Sequence, residues 1–193
     1  MNTDKCQIGV SGMEYLGNFL TAKGLQVSND KVKAIVQAPR PKDQSELRSF
    51  LGLVQYCARF IPSFAIIASQ LWDLTKAHAK WKWGTSEEKA VKRQLTQAPL
   101  MAFFKQGAET HITTDASPVR IGAVLEQKQE DNQYRPVHNA SRKLTPPESR
   151  YPQFEKEALA VKWNCEKFFL YIHANHFAIC TDHKPLITVP GPH

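Results

Sequence analysis

Residues 111–125, HITTDASPVRIGAVL, decide how this chain is read. Two runs rich in β-branched and apolar residues, 111–115 and 121–125, flank the segment 116–120. The pattern predicts two strands joined by a tight turn. Downstream, Arg135-Pro136-Val137 opens a third strand, which its proline assigns to a sheet edge or a strand start. Thr145-Pro146-Pro147-Glu148 is a helix-start signal. From Phe154 to about Tyr171, Ala158, Val161, Cys165 and Phe168 recur at helical spacing. Residues 177–182 form a further β-rich run. The order β-β-β-α-β predicts a mixed sheet, because a strand that follows a crossover helix usually lies parallel to a neighbour.

Upstream the period is helical. Ser28 is placed to cap a first helix, with Val32, Ile35 and Val36 on one face and Pro39 and Pro41 as its stop. Asp43-x-x-Glu46 resembles a capping box for a second helix, whose stripe is Leu47, Phe50, Leu51, Val54 and Ala58. After Pro62, Phe64, Ile67, Ala68, Leu71 and Leu74 predict a third short helix. Trp81-Lys82-Trp83 is an aromatic connector, and Thr85-x-x-Glu88 opens a fourth helix that Pro99 ends. Residues 5–27 read as a small hairpin region, with Ile8 and Val10 alternating with polar neighbours and Tyr15-Leu16-Gly17-Asn18-Phe19-Leu20 extended towards Gly24. So little sheet needs a partner surface to be stable, and it implies chain upstream. The expected architecture is α+β: a hairpin region over 1–27, a small helical bundle over 28–105, and a mixed sheet over 106–193.

The chain has 193 residues, 42% of them hydrophobic and 22% charged, which is the composition of a globular protein and excludes disorder and collagen. No apolar run approaches the roughly 18–20 residues of a membrane span, and the first ten residues lack a secretory core. An intracellular protein, cytoplasmic or nuclear, with no membrane partner is expected. Cys6, Cys57, Cys165 and Cys180 are scattered in apolar settings, so free thiols are expected rather than a zinc site. Residues 1–109 carry fifteen basic and nine acidic side chains, a net +6, whereas residues 110–193 carry ten and nine, a net +1. A basic first half suits a polyanionic partner such as nucleic acid, although a solvated lysine-rich surface has the same composition.

Thr114-Asp115 and Thr181-Asp182 echo one another, each an acid just after a hydrophobic run. If the two strands are parallel neighbours, both carboxylates emerge at one end of the sheet. Glu157 lies at the border of the apolar stripe of the crossover helix. Three converging carboxylates repel one another unless a divalent cation such as Mg²⁺ or Mn²⁺ intervenes, and two such ions can promote phosphodiester cleavage. Taken singly, an Asp after a strand more often makes a turn and a helical Glu more often faces solvent. Trp81 and Trp83 either pack beneath the helices or stack on bases, and His111 and His183 have no partner at ligand spacing. Neither G-x-G-x-x-G nor a P-loop pattern occurs, so no small-molecule cofactor is expected.

Several stretches, in collinear order, resemble the polyproteins of gypsy-type long-terminal-repeat retrotransposons and their retroviral relatives. Thr114-Asp115-Ala116-Ser117 with Ile121-Gly122-Ala123-Val124-Leu125-x-Gln127 is similar to the opening of their RNase H domain. So are Ala140-Ser141-Arg142-Lys143-Leu144, Glu155-Lys156-Glu157-Ala158-Leu159-Ala160-Val161 and Thr181-Asp182-His183-Lys184-Pro185-Leu186. Leu47-Arg48-Ser49-Phe50-Leu51-Gly52-Leu53, with Tyr56 and Arg59-Phe60-Ile61, resembles the thumb of the same reverse transcriptases, and Tyr15-Leu16-Gly17 the primer-grip hairpin.

The resemblance implies a palm remnant, a thumb and an incomplete RNase H-like domain. It implies that Asp115, Glu157 and Asp182 bind two Mg²⁺ (or Mn²⁺) ions and cut RNA in RNA–DNA hybrids. It also implies that Tyr15, Gly17, Lys42, Arg48 and Arg59 contact a template–primer duplex. The polymerase segment Y-x-D-D is absent, which excludes DNA synthesis by this chain alone; the parent palm and integrase domains are absent too. The fourth family acid and the closing helix and strand are expected beyond His193. Arg120 stands where the family has Gly, which implies strain if that position needs a positive φ. The alternative reading is a catalytically inactive nucleic-acid-binding remnant, or a relic of a mobile element with no role.

Overall fold

Three short strands open the structure, a computed structural model that describes residues 9–76, 79, 81, 85–98 and 100–182. Cys6, Ile8, Lys82, Trp83, Pro99 and the stretch from His183 to Leu186 lie outside the described residues. Strands β1 (Gly12–Tyr15), β2 (Asn18–Thr21) and β3 (Gly24–Val27) form an antiparallel three-stranded sheet, so the expected hairpin gains a strand after the turn at Ala22-Lys23. Between β1 and β2, Leu16 and Gly17 have φ of 48° and 70°. Two positive φ values in a two-residue turn match the twist of the flanking strands.

The helical segment follows its capping signals. The Ser28 hydroxyl accepts from Lys31 N at the start of α1 (Asn29–Gln37). Asp43 accepts from Glu46 N at 2.8 Å at the start of α2 (Gln44–Gln55), and the Glu46 carboxylate accepts from Lys42 N at 2.8 Å. The third expected helix is divided at Ala68 into α3 (Phe64–Ile67) and α4 (Ser69–Leu74), and α5 (Thr85–Thr96) follows. Ile35, Leu47, Leu51, Val54, Phe60, Leu71 and Val91 meet in one buried core. Cys57 lies in that core, where burial pushes its thiol up to about 11 and keeps it protonated.

The second sheet has the order β6-β5-β4-β7 and comprises β4 (Thr110–Ser117), β5 (Arg120–Lys128), β6 (Tyr134–Lys143) and β7 (Phe177–Cys180). As expected, β7 runs parallel to β4 and the other pairs are antiparallel. Strand β6 is the edge that Pro136 requires, and a bulge beside Leu125 and Glu126 leaves Val137 unpaired there. Strand β4 is longer than expected: Asp115 sits inside it, opposite Gly122, and only Pro118-Val119 separate the strands. Arg120 opens β5 in regular pairing and is absent from the positive-φ residues, so the strain expected at that position does not arise.

Between β6 and β7 run α6 (Gln153–Lys167) and α7 (Phe169–Ile172). The buried line of α6 is Glu157, Ala160, Asn164 and then Phe168, not the expected Ala158, Val161 and Cys165. The helix is rotated by about one residue because its two polar members find partners, Gln153 for Glu157 and Gly122 O for Asn164. Arg142 steadies its approach with a forked pair to Glu148 at 2.7 and 2.9 Å. Among the described residues no helix is long and apolar enough to cross a membrane.

Met101 and Ala102 link the two sheets. Met101 exchanges two 2.8 Å main-chain bonds with Leu25 on β3, and Ala102 N donates to Pro136 O on β6 at 2.8 Å. Lys105 then lends its N–H and carbonyl to the fully buried Gln127 side chain at 2.8 and 2.9 Å.

Two outcomes are expected. Gly24 has φ of +147°, and a Cβ there would lie 2.2 Å from Met101 O. Gly24→Ala should cost roughly 2–3 kcal/mol, read as a melting temperature about 5 °C lower; an unchanged value contradicts the strap. The Arg142 guanidinium, helped by the Thr145 N–H, holds the Glu148 carboxyl at about 2 against an ordinary 4.5. Its contribution to stability is therefore complete above pH about 4.5 and lost as pH falls through about 2. In acid titrations of stability between those pH values, Glu148→Gln should show a shallower decline than wild type, and equal slopes would contradict the pairing.

Candidate nucleic-acid interface and acidic site

The alternation of β4 fixes where the acids lie. Thr110, Ile112, Thr114 and Ala116 are buried, with Ala116 packed in a cluster with Ala160 of α6. Asp115 projects from the opposite face and is exposed. The parallel register pairs Thr113 with Cys180, and carried on along the chain it brings the exposed Asp182 level with Asp115. That continuation, two residues past the end of β7 at Cys180, would put the two acids at one end of the sheet.

Glu157, on α6, is only 4% exposed, and its Oε1 accepts from Gln153 Nε2 at 2.7 Å. Gln153 Nε2 also donates to Ala116 O at 2.9 Å, which ties the carboxylate to the strand. The sequence placed Glu157 at the border of the stripe; the structure places it in the middle.

Arg120 lies diagonally across the β4–β5 pair, and burial lowers its guanidinium pKa while the Asp115 charge opposes that shift. Three carboxylates are the right chemistry for Mg²⁺ or Mn²⁺. Among the described residues no group of three or more His, Cys, Asp or Glu side chains is arranged to hold a metal ion.

The five residues expected to meet a duplex fall in three places. Tyr15 and Gly17 form the tip of the β1–β2 hairpin, where Tyr15 and Leu16 are 57% and 71% exposed. The tip is tied to α2 through Tyr56, whose hydroxyl donates to Leu16 O and accepts from Asn18 Nδ2 at 3.0 Å. Lys31 Nζ lies 3.1 Å from the centroid of the Tyr56 ring, and a Cβ on Gly17 would come within 2.4 Å of that same Nζ. Glycine adopts the positive φ of this position at least cost.

Lys42 and Arg48 occupy the exposed side around α2, with Arg48 Nη2 donating to Thr75 O at 2.9 Å. Arg59 is elsewhere: it is half-buried where the helical segment meets β6, and its own carbonyl accepts from Asn139 Nδ2 at 2.8 Å. Trp81 is partly exposed.

Sequence reasoning missed the residues of that junction. Asn139, Ser141 and Lys143 alternate along β6 on its face towards the helices. Ser141 Oγ accepts from Ala65 N at 2.9 Å, and Lys143 pairs with Asp73 at 3.0 Å. A polar stripe on an edge strand reads as solvent-facing, and no local signal distinguishes it from one buried by a distant segment. Gln153 could have been found, since it stands four residues before Glu157 on one helix.

Comparison with known proteins gives a consistent pattern. Residues 83–179, half of the chain, match the family of RNase H-like domains found in reverse transcriptase. The Tf2-3 and Tf2-4 transposon polyproteins of Schizosaccharomyces pombe are each 32% identical over 192 residues, which covers 97% of this chain and 14% of each polyprotein. The chain thus spans a small part of the length of these relatives. Among solved structures, the foamy viral protease-reverse transcriptase dRH in complex with double-stranded DNA aligns with a TM-score of 0.77 at 21% identity, covering 93% of this chain and 32% of that one. The foamy viral protease-reverse transcriptase in complex with an RNA/DNA hybrid aligns at 0.76 and 20%, covering 93% and 25%. At such identities the likeness shows the fold alone.

Proposed function

Since the chain belongs to the RNase H-like domains of reverse transcriptases, of the long-terminal-repeat retrotransposon kind, we propose that it grips the sugar-phosphate backbone of a template–primer duplex or RNA–DNA hybrid. The observation that carries this reading is the hairpin tip: exposed Tyr15 and Leu16, held in a left-handed turn by Gly17 and fastened through Tyr56 to a helical segment rich in cations. Exposed apolar side chains on a strained turn are retained where they meet a partner. Lys42, just before α2, and Arg48, on it, supply sequence-independent charge for phosphate contacts. The foamy viral proteins of the same fold are described with double-stranded DNA and with an RNA/DNA hybrid, which supports this class of ligand.

A second reading is cleavage of the RNA strand of a hybrid, dependent on Mg²⁺ or Mn²⁺, with Asp115, Glu157 and Asp182 as the acids. Family membership and the level placement of Asp115 and Asp182 favour it. Among the described residues no group of three or more His, Cys, Asp or Glu side chains is arranged to hold a metal ion, which puts this reading second. Binding is therefore the primary reading.

Fluorescence anisotropy with a short RNA–DNA hybrid tests it. The logarithm of the association constant should fall linearly with the logarithm of salt, with a slope of about −0.9 per phosphate neutralised. A flat salt response overturns duplex binding. With Mg²⁺ added, wild type and Asp115→Asn should cleave the labelled hybrid no differently. Cleavage by wild type alone would establish the second reading in place of the first.

A further inference from the structure

Where the helical segment meets the sheet there is a cleft of about 240 Å³, smaller than the roughly 300 Å³ at which drug-sized ligand pockets begin. Arg59 from the 3₁₀ turn Ala58–Phe60 and Lys167 from the end of α6 both line it, together with His138, Asn139 and Ser141 of β6. Among the described residues neither Arg59 nor Lys167 is paired with a carboxylate. Arg59 Nε is buried with no hydrogen-bond acceptor. A partly buried guanidinium without a counter-charge is costly to leave so.

We propose that this cleft seats one phosphodiester group of a bound duplex, with Arg59 and Lys167 supplying the positive charge from the two sides. The proposal rests on the reading of the chain as a duplex-binding protein and adds a specific place for the backbone, distinct from the outer side of α2. Burial first, and then the charges of Arg59 and Lys167, hold the His138 imidazole down at about 4, so it is neutral near pH 7 and leaves the cleft's positive charge to those two residues. The size suits a single tetrahedral anion with a sugar edge rather than a whole nucleotide cofactor. Because Arg59 and Lys167 belong to different parts of the fold, one phosphate would be held by both.

The test combines hybrid binding by the whole chain with the imidazole NMR signals of His138. Arg59→Met with Lys167→Met keeps the apolar stems and removes both charges. This double variant should bind the hybrid about tenfold more weakly or worse, with a salt slope reduced by about one to two. In wild type, sodium phosphate should shift the His138 signals where sodium chloride of equal ionic strength does not.

Wild-type affinity and slope in the double variant overturn the seat while leaving duplex binding intact. Should that variant fail to fold, unshifted His138 signals in phosphate-treated wild type overturn the seat without it. A wild-type protein that answers inorganic phosphate at His138 but binds no hybrid overturns the backbone assignment and the proposed function together, and identifies the cleft as a site for free phosphate.

Discussion

Two consecutive residues, Met101 and Ala102, determine how the parts of this protein meet. One pairs in both directions with Leu25 of the small sheet and the other donates to Pro136 of the large sheet. Main-chain groups that leave water must be paired, so a segment bonded on both sides has no slack to swing. The bulge at Val137 helps, because it leaves the Pro136 carbonyl on the edge strand available to accept. Once the strap is set, the helical core is brought against one face of β5 and β6, and Asn139 and Ser141 find Arg59 O and Ala65 N. The exposed Lys143–Asp73 pair at the same place adds little on its own, since solvent screens it.

The same geometry governs where the acidic residues lie. A strand sends successive side chains to opposite faces, and β4 is covered on one side by α6. Asp115 therefore looks away from the helix that carries Glu157. Glu157 tolerates burial because Gln153 satisfies one of its oxygens and fastens the pair to Ala116. On the other face Asp115 and Arg120 lie diagonally across the β4–β5 pair.

Local signals were legible in the sequence and long-range ones were not. The caps at Ser28 and Asp43 work within four residues, so both helices were placed from their own residues. The parallel β4–β7 pair followed from the crossover rule, and the edge position of β6 from Pro136, which has no N–H to give a further strand. The β4–β5 turn was read too long because Ala116, Ser117 and Arg120 carry no β-branched signal, although their pairing is regular. The stripe of α6 was read one residue off because hydrophobicity alone ranked Ala158 and Val161 above Glu157 and Asn164. Their burial depends on partners elsewhere, Gly122 O among them, and on a neighbouring glutamine. The docking of the polar residues of β6 has no local signal, because their partners, Arg59 and Ala65, come from far earlier in the chain.

That junction also bears on how binding and architecture affect each other. A protein–protein contact that confines Arg59 without a carboxylate is weaker than it would be if the charge were met. An anion placed in the cleft between Arg59 and Lys167 would supply a counter-charge to both parts at once. By linkage, whatever free energy the docked arrangement lends to the anion, the anion returns to that arrangement.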